Sequence, residues 1–259
     1  MVLSVRSYTI SYWGFSDQGL VRSNNEDMWQ TAIEESFFAL ADGMGGHQAG
    51  EIASKEAVTF LCSYMEKEFP QTEKNMDALK VLLKAGIEET NRHVFQMSKS
   101  HELLSGMGTT LCTLFFREEY ALWTHVGDSR IYRLRNEKLE QLTQDHSLLR
   151  ELINGGALTE KEKEEFLYKN IITKAIGTEA DVEAPVHVSF LEKGDIFLLC
   201  TDGLSDMLPK GEIEEILKQP YTVEEKVRAL IHAAKQKGGL DNITTVLMEV
   251  VDEQEKDLS

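Results

Sequence analysis

Cysteine is scarce in this chain of 259 residues. Cys62, Cys112 and Cys200 are its only cysteines, each lies inside an apolar run, and their spacing suits neither a disulfide framework nor a metal site. Buried thiols in a reducing compartment are the expectation. Long apolar stretches are missing too: no run reaches 18 residues, and Met1 to Tyr12 carries Arg6 but no apolar segment or small-residue cleavage site of a secretory signal. A cytoplasmic protein with no membrane contact follows as the expectation. Positive charge is also short, with 27 Lys and Arg against 44 Asp and Glu and a formal net charge of −17, which excludes a broad surface for nucleic acid or anionic lipid. No Pro/Gly/Ser linker and no internal repeat divides the chain, and a hydrophobic content of 42% is enough for one substantial core. The expectation is a single domain over residues 1–250, followed by an acidic fringe at 251–259 that frays.

What the chain does contain is an interleaved series of extended and helical patterns. Extended segments are expected around Tyr8 to Phe15, at Ser36 to Ala41, at Thr109 to Phe116, Ala121 to Val126 and Ile131 to Leu134, and at Val186 to Phe190, Asp195 to Cys200 and Ile243 to Val250. Apolar residues at helical spacing predict long amphipathic helices over Ala49 to Phe69 and about Met76 to Met97, with another at Val223 to Lys237. The middle strands are separated only by Arg117-Glu118-Glu119 and Gly127-Asp128-Ser129, so they form an antiparallel meander rather than a Rossmann repeat. Antiparallel hairpins with clustered helices indicate a layered α+β fold.

Three acidic loop stations stand out: Asp42 within Ala41-Asp42-Gly43-Met44-Gly45-Gly46-His47, Asp202 within Thr201-Asp202-Gly203, and Asp241 before Asn242. The alternative for each alone is an Asx turn beside a strand, a reading that weakens when all three are taken together. Together they supply the oxygen ligands that hard divalent cations require, and two such ions about 4 Å apart can activate water and neutralise a transferring phosphoryl group. Gly43, Gly45 and Gly46 permit close approach of the backbone to an ion. Met44, Met107 and Met207 flank these loops, but without a Cys/His/Met cluster they read as packing residues.

Taken in order, the stations resemble those of the bacterial metal-dependent serine/threonine protein phosphatases of type 2C. They are Ser16-Asp17 with Gly19, Arg22 and Asn25-Glu26-Asp27; Ala41 to Gly46; Gly106-Met107-Gly108-Thr109-Thr110; Val126-Gly127-Asp128-Ser129-Arg130; Thr201 to Asp206; and Asp241-Asn242-Ile243-Thr244. The resemblance implies a four-layer α-β-β-α sandwich with two central, mainly antiparallel sheets. It further implies two Mn²⁺ or Mg²⁺ ions, bridged by Asp42, with the Gly43 carbonyl, Asp202 and Asp241 as further ligands, and room for a third, looser ion at Asp128, Asp202 and Asp206.

The same resemblance makes Arg22 the phosphate clamp and places Glu26 at the cluster with Asp27 beside it; the alternative for two consecutive acids is a loop surface or a helix N-terminal pair. Asp128 retains the alternative of a hairpin corner paired with Arg130, and Asn242 is expected to fix its loop by side-chain hydrogen bonds. Some relatives carry a histidine directly after the bridging Asp-Gly pair, where this chain has Met44, so the proton donor does not carry over; His47 is a catalytic candidate by sequence proximity, or simply a residue of the following helix start. His125, inside a β-run, reads as structural.

Residues 145–177 resemble the family's flap. It opens with Asp145-His146-Ser147, continues through helix-like Leu148 to Ile153, a Gly155-Gly156 hinge and helix-like Thr159 to Phe166, and carries Lys169 and Lys174 as either phosphopeptide contacts or surface charges. The implied activity is hydrolysis of phosphoserine and phosphothreonine on proteins, opposing Hanks-type kinases, with the kinase and its substrates as partners and the enzyme a monomer. The alternatives are a phosphatase of a partner-switching pathway and a catalytically silent phosphoprotein-binding module.

Overall fold

The computed structural model describes residues 8–34, 36–45, 49–159, 168 and 171–252. Its elements in order are β1 (Tyr8–Asp17), β2 (Asp27–Ala32), β3 (Phe37–Met44), α1 (Ala49–Glu68), α2 (Met76–Ser100), β4 (Gly108–Thr109), β5 (Leu111–Arg117), β6 (Tyr120–Val126), β7 (Arg130–Arg135), β8 (Lys138–Gln141), α3 (Leu148–Asn154), β9 (His187–Phe190), β10 (Ile196–Cys200), α4 (Asp202–Ser205), α5 (Lys210–Leu217), α6 (Val223–Gln236) and β11 (Ile243–Asp252). One sheet runs β1-β11-β10-β7-β8 and the other β2-β3-β5-β6-β9, with β4 attached to β3. Neighbouring strands are antiparallel throughout.

The layering follows from side-chain parity, because successive residues of a strand face opposite sides of its sheet. In β3, Phe37, Ala39 and Ala41 join a core with α1 and α2, whereas Phe38 and Leu40 turn to the other side and join Phe197, Leu199, Val246 and Met248 of the second sheet. In β10, Ile196, Leu198 and Cys200 pack instead with Leu204, Ile213, Val227 and Leu230 of α4, α5 and α6. These three cores separate four layers, α-β-β-α, as the resemblance implied. Strands buried on both faces explain why β3, β5 and β10 read as continuous apolar runs rather than alternating ones. Phe116 of one sheet meets Phe197 of the other edge-to-face at 5.4 Å, an arrangement that adds about 0.5–1.5 kcal/mol to area burial.

Helix starts are set locally. Asn75 accepts a hydrogen bond from the Ala78 amide at the start of α2, and Thr222 with Glu225 forms a capping box at α6. Two strands have no clear sequence signal. β2 mixes polar and apolar residues, and β8 follows a two-residue turn, Asn136-Glu137, with φ of 50° and 60°. That is the conformation of a tight hairpin turn normally marked by Asn-Gly. The expected Thr109–Phe116 strand is divided in two, with Thr110 between β4 and β5. Residues 1–7, 253–259 and most of the expected Thr159 to Phe166 helix lie outside the described residues, as does His47.

Candidate active site

Five connections meet at one end of the two sheets: residues 17–26, the end of β3, the β6–β7 corner, the β10–α4 junction and the α6–β11 loop. β2 and β3 are in register so that Asp27 lies opposite Asp42. Asp27 is therefore a buried strand residue, not a helix N-terminal pair with Glu26 or a loop surface, and it reaches across to the other sheet. Its Oδ2 accepts hydrogen bonds from Thr201 Oγ1 at 2.9 Å and Thr244 Oγ1 at 2.7 Å. Since both hydroxyls donate there, the chain of bonds runs from Asn25 Nδ2 to Ser16 Oγ at 2.8 Å and on to Thr244 Oγ1 at 2.6 Å, every proton pointing toward the carboxylate.

Asp42 is fixed through its backbone. Its amide donates to Thr110 Oγ1 at 2.9 Å, and its carbonyl accepts from the Thr110 amide at 2.8 Å and Thr109 Oγ1 at 2.7 Å. Thr110 Oγ1 in turn shares a hydrogen bond of 2.7 Å with Ser129 Oγ, joining β3 to the corner that carries Asp128. Asn242 ties the remaining loops: its Oδ1 accepts from the Glu26 amide at 2.8 Å, and its Nδ2 donates to the carbonyls of Gln18 and Asn24 at 2.9 and 2.8 Å. It thus performs the loop-fixing role expected of it. Space for these close approaches comes from missing side chains, since a Cβ on Gly43 would lie 2.0 Å from the Gly50 carbonyl oxygen and one on Gly203 would lie 1.9 Å from that of Asn242.

Carboxylates crowd this end of the sheets, and burial dominates their acidity. Asp42 is held well above the usual carboxylate range by burial and by Asp27, Asp202, Asp128 and Asp241 around it. Asp27 is raised by burial, against its two hydroxyl donors and with Asp202 and Asp241 adding to the rise. Asp202 is raised by burial, Asp206 and Asp241, and relieved by a hydrogen bond with Asp42. Burial and the charges of Asp202 and Asp145 push Asp128 up to about 7. Two buried oxygens, Asp27 Oδ1 and Asp202 Oδ1, have no hydrogen-bond partner. Burial and mutual repulsion disfavour the charged form of these acids, and a bound cation would offset both.

Part of that charge comes from Arg22, whose guanidinium donates to Asp241 Oδ2 at 2.6 Å at the exposed edge of the site. Glu26 sits beside them, with Oε1 accepting from Asn24 Nδ2 at 2.9 Å. Among the described residues no three acidic, histidine or cysteine side chains are drawn to ligand distance of a single point. Even so, the donor set of hard oxygens, the two unpartnered atoms and the mutual repulsion fit divalent cations of the Mg²⁺ and Mn²⁺ kind.

Asp128, Asp202 and Asp206 line a cavity of about 90 Å³ together with Arg130, Asp145 and Ser147. Arg130 does not pair with Asp128 as the hairpin-corner alternative supposed. It makes a forked ion pair with Asp145, with contacts of 2.7, 3.0 and 3.2 Å, which leaves the Asp128 carboxylate to the cavity. Alongside lies an open groove of about 600 Å³ walled by His125, His146, His187, Arg150 and Lys174. His125 packs at the end of the inter-sheet layer, bonded through Nε2 to the Gln144 carbonyl at 2.8 Å and stacked on His146 at 4.7 Å. Burial, then the neighbouring His125, lowers His146 to about 4.

The sequence model of the family described as Protein phosphatase 2C matches residues 20–248. The chain belongs to the protein phosphatase 2C family. A serine/threonine phosphatase, stp, of Listeria monocytogenes serotype 4b is 38% identical over 237 residues, covering 90% of this chain and 93% of that one. The solved serine/threonine phosphatase of S. agalactiae superposes with a TM-score of 0.86 at 37% identity, covering 93% of this chain and all of the other (100%). The catalytic domain of the serine/threonine protein phosphatase PstP, solved in complex with two manganese ions, superposes with a TM-score of 0.83 at 35% identity, covering 95% and 100%.

Within this phosphatase 2C fold the six sequence stations converge at one end of the sheets. Asp42, Asp128, Asp202, Asp206 and Asp241 interact, Arg22 and Glu26 stand at their edge, and Asp27 lies beneath. Sequence reasoning missed the supporting hydroxyls of Ser16, Thr110, Thr201 and Thr244, although all four stand inside the stations themselves. It also placed no weight on His146 and Asp145 beyond the start of the flap. At the flap base, Gly155 closes α3 through its amide to the Glu151 carbonyl and Gly156 takes a φ of 73°, so the expected hinge position is a helix C-terminus followed by a left-handed turn.

Proposed function

We infer that this chain hydrolyses phosphoserine and phosphothreonine on proteins with the aid of two Mn²⁺ or Mg²⁺ ions. The observation that carries the reading is the cluster of buried, mutually repelling carboxylates with unpartnered oxygens in a protein phosphatase 2C fold. Asp42 with the Gly43 carbonyl, Asp202 and Asp241 would hold the two ions, and Asp128, Asp202 and Asp206 would hold a third. When bound, such ions supply a water of lowered pKa and neutralise charge on the phosphoryl oxygens.

The chain's own residues do the rest. Arg22 stands exposed at the rim, and its planar fork of donors matches two phosphoryl oxygens, so it binds and orients the phosphate. Asn24 and Asn242 hold the Glu26 carboxylate and backbone beside the acid cluster, where Glu26 would accept hydrogen bonds from water. Asp27 keeps Thr201 and Thr244 in place under Asp202, which fixes the two sheets relative to each other at the site. The −17 net charge disfavours strongly acidic substrates except where the phosphate itself meets Arg22.

The substrates in the cell are phosphoproteins made by a serine/threonine kinase, including the kinase itself, and the enzyme works as a monomer in the cytoplasm; no helix among the described residues is long and apolar enough to cross a membrane. Phosphate release from a phosphothreonine peptide tests the activity, with Mn²⁺, Mg²⁺ or EDTA and with Asp42→Asn and Asp202→Asn alongside. Turnover that needs the metal and disappears in both variants supports the assignment, and metal-loaded wild type without turnover on a panel of phosphopeptides refutes it.

A further inference from the structure

His146 is joined to the β6–β7 corner twice. Its amide donates to the Gly127 carbonyl at 3.0 Å, and its Nδ1 accepts from the Gly127 amide at 3.1 Å, which places the ring proton on Nε2. His146 thus closes both polar groups of Gly127 from outside the β6–β7 hairpin. Gly127 takes a φ of 100° and its Cα lies so near Thr110 that an added Cβ would be 2.6 Å from Thr110 Cγ2. The corner is therefore confined by Thr110 on one side and by His146 on the other, and Asp128 is its next residue.

The other contacts of His146 are equally directional. Its ring lies nearly parallel to that of His125, 9° apart, and His125 is itself held by the Gln144 carbonyl. Its own carbonyl accepts from the Thr173 amide at 2.9 Å, within a short antiparallel pairing of Ser147 with Ile172. The preceding residue, Asp145, takes the Arg130 fork and a hydrogen bond from Gln141 at 3.0 Å. Asp145 thus occupies the cation that would otherwise compete for Asp128, and His146 fixes the backbone from which Asp128 projects into the cavity shared with Asp202 and Asp206.

We propose that His146 is a positioning residue for the third cation site: through its Nδ1 and amide it sets the Gly127–Asp128 corner, and thereby the affinity of that site, without touching the ion or the substrate. The inference rests on the reading of Asp128, Asp202 and Asp206 as ligands. Outer partners that orient a ligand typically account for about 10–100-fold in metal affinity. Replacement of Nδ1 therefore weakens the loosest Mn²⁺ site about tenfold or more and leaves the two tighter ones as they are.

The experiment is calorimetric titration of Mn²⁺ into the protein already carrying two equivalents, for wild type, His146→Phe, His146→Asn and Asp128→Asn, with a thermal melt of each. Phe keeps a ring against His125 but has no acceptor, whereas Asn places an oxygen where Nδ1 stood. The expected result is loss of the weak isotherm in His146→Phe and Asp128→Asn and its retention in His146→Asn. His146→Ala gives the same readout if the Phe variant does not fold. Wild-type weak binding in His146→Phe or His146→Ala, with that binding lost in Asp128→Asn, overturns the positioning role alone. Wild-type weak binding in Asp128→Asn overturns the ligand assignment beneath it as well.

Discussion

Replacing Asp128 with asparagine should make the metal-free protein more stable while damaging its cation site, and the size of the gain depends on pH. The Asp128 carboxyl has an ordinary value of 3.8, and burial together with Asp202 and Asp145 raises it to about 7 in the fold. A carboxyl raised on folding costs nothing below its unfolded value and opposes the native state increasingly as pH climbs to the folded one. The rise from 3.8 to about 7 corresponds to about 4 kcal/mol opposing folding at pH 8 and to less than about 1 kcal/mol near pH 4. The asparagine side chain is nearly isosteric and cannot ionise, so it removes this opposition.

Urea unfolding of EDTA-treated wild type and Asp128→Asn at pH 4, 6 and 8 measures the difference. The variant should be equal within about 1 kcal/mol at pH 4 and more stable by up to about 4 kcal/mol at pH 8, which is roughly 10 °C in melting temperature for a domain of this size. Saturating Mn²⁺ should shrink or reverse the gain, because cation binding stabilises the wild type through the carboxylate the variant lacks. A metal-free variant no more stable than wild type at pH 8 would refute the argument that this acid is held against its charge.

Other substitutions address the remaining parts of the site. Asn242→Ala removes three hydrogen bonds from loops 17–26 and should cost about 2–4 kcal/mol in urea unfolding, with a fall in kcat as Glu26 loosens. Gly203→Ala puts a Cβ against the Asn242 carbonyl and should destabilise by about 1–3 kcal/mol or more while separating Asp202 from Asp241, read as lower melting temperature and lower Mn²⁺ affinity. Arg22→Ala should raise the inhibition constant for inorganic phosphate about tenfold, and Arg22→Lys should recover only part of it, since an ammonium cannot reproduce the fork. Equal inhibition of wild type and Arg22→Ala by phosphate would remove Arg22 from the clamp.

Much of this protein is determined locally in the chain. The apolar spacing of Ile52, Ala53, Ala57, Val58 and Leu61 requires a helix with one buried side, and the β-branched and aromatic runs around Phe37, Leu114 and Leu198 require strands buried on both faces. The acids at 42, 202 and 241, with the glycines beside them, are likewise legible, because hard-cation chemistry demands those residue types and loops demand those neighbours. Which acids meet is another matter. Asp27 stands opposite Asp42 only because β2 pairs with β3 in that register, and it reaches Thr201 and Thr244 only because the two sheets stack. Arg130 chooses Asp145 over Asp128 for the same reason, since the partner 15 residues away is brought nearer by the return of the chain past β8 than the one two residues away. Local sequence determines conformation and chemistry one segment at a time, whereas charge pairing and pKa depend on burial and on distances between segments, and only the packed sheets set those.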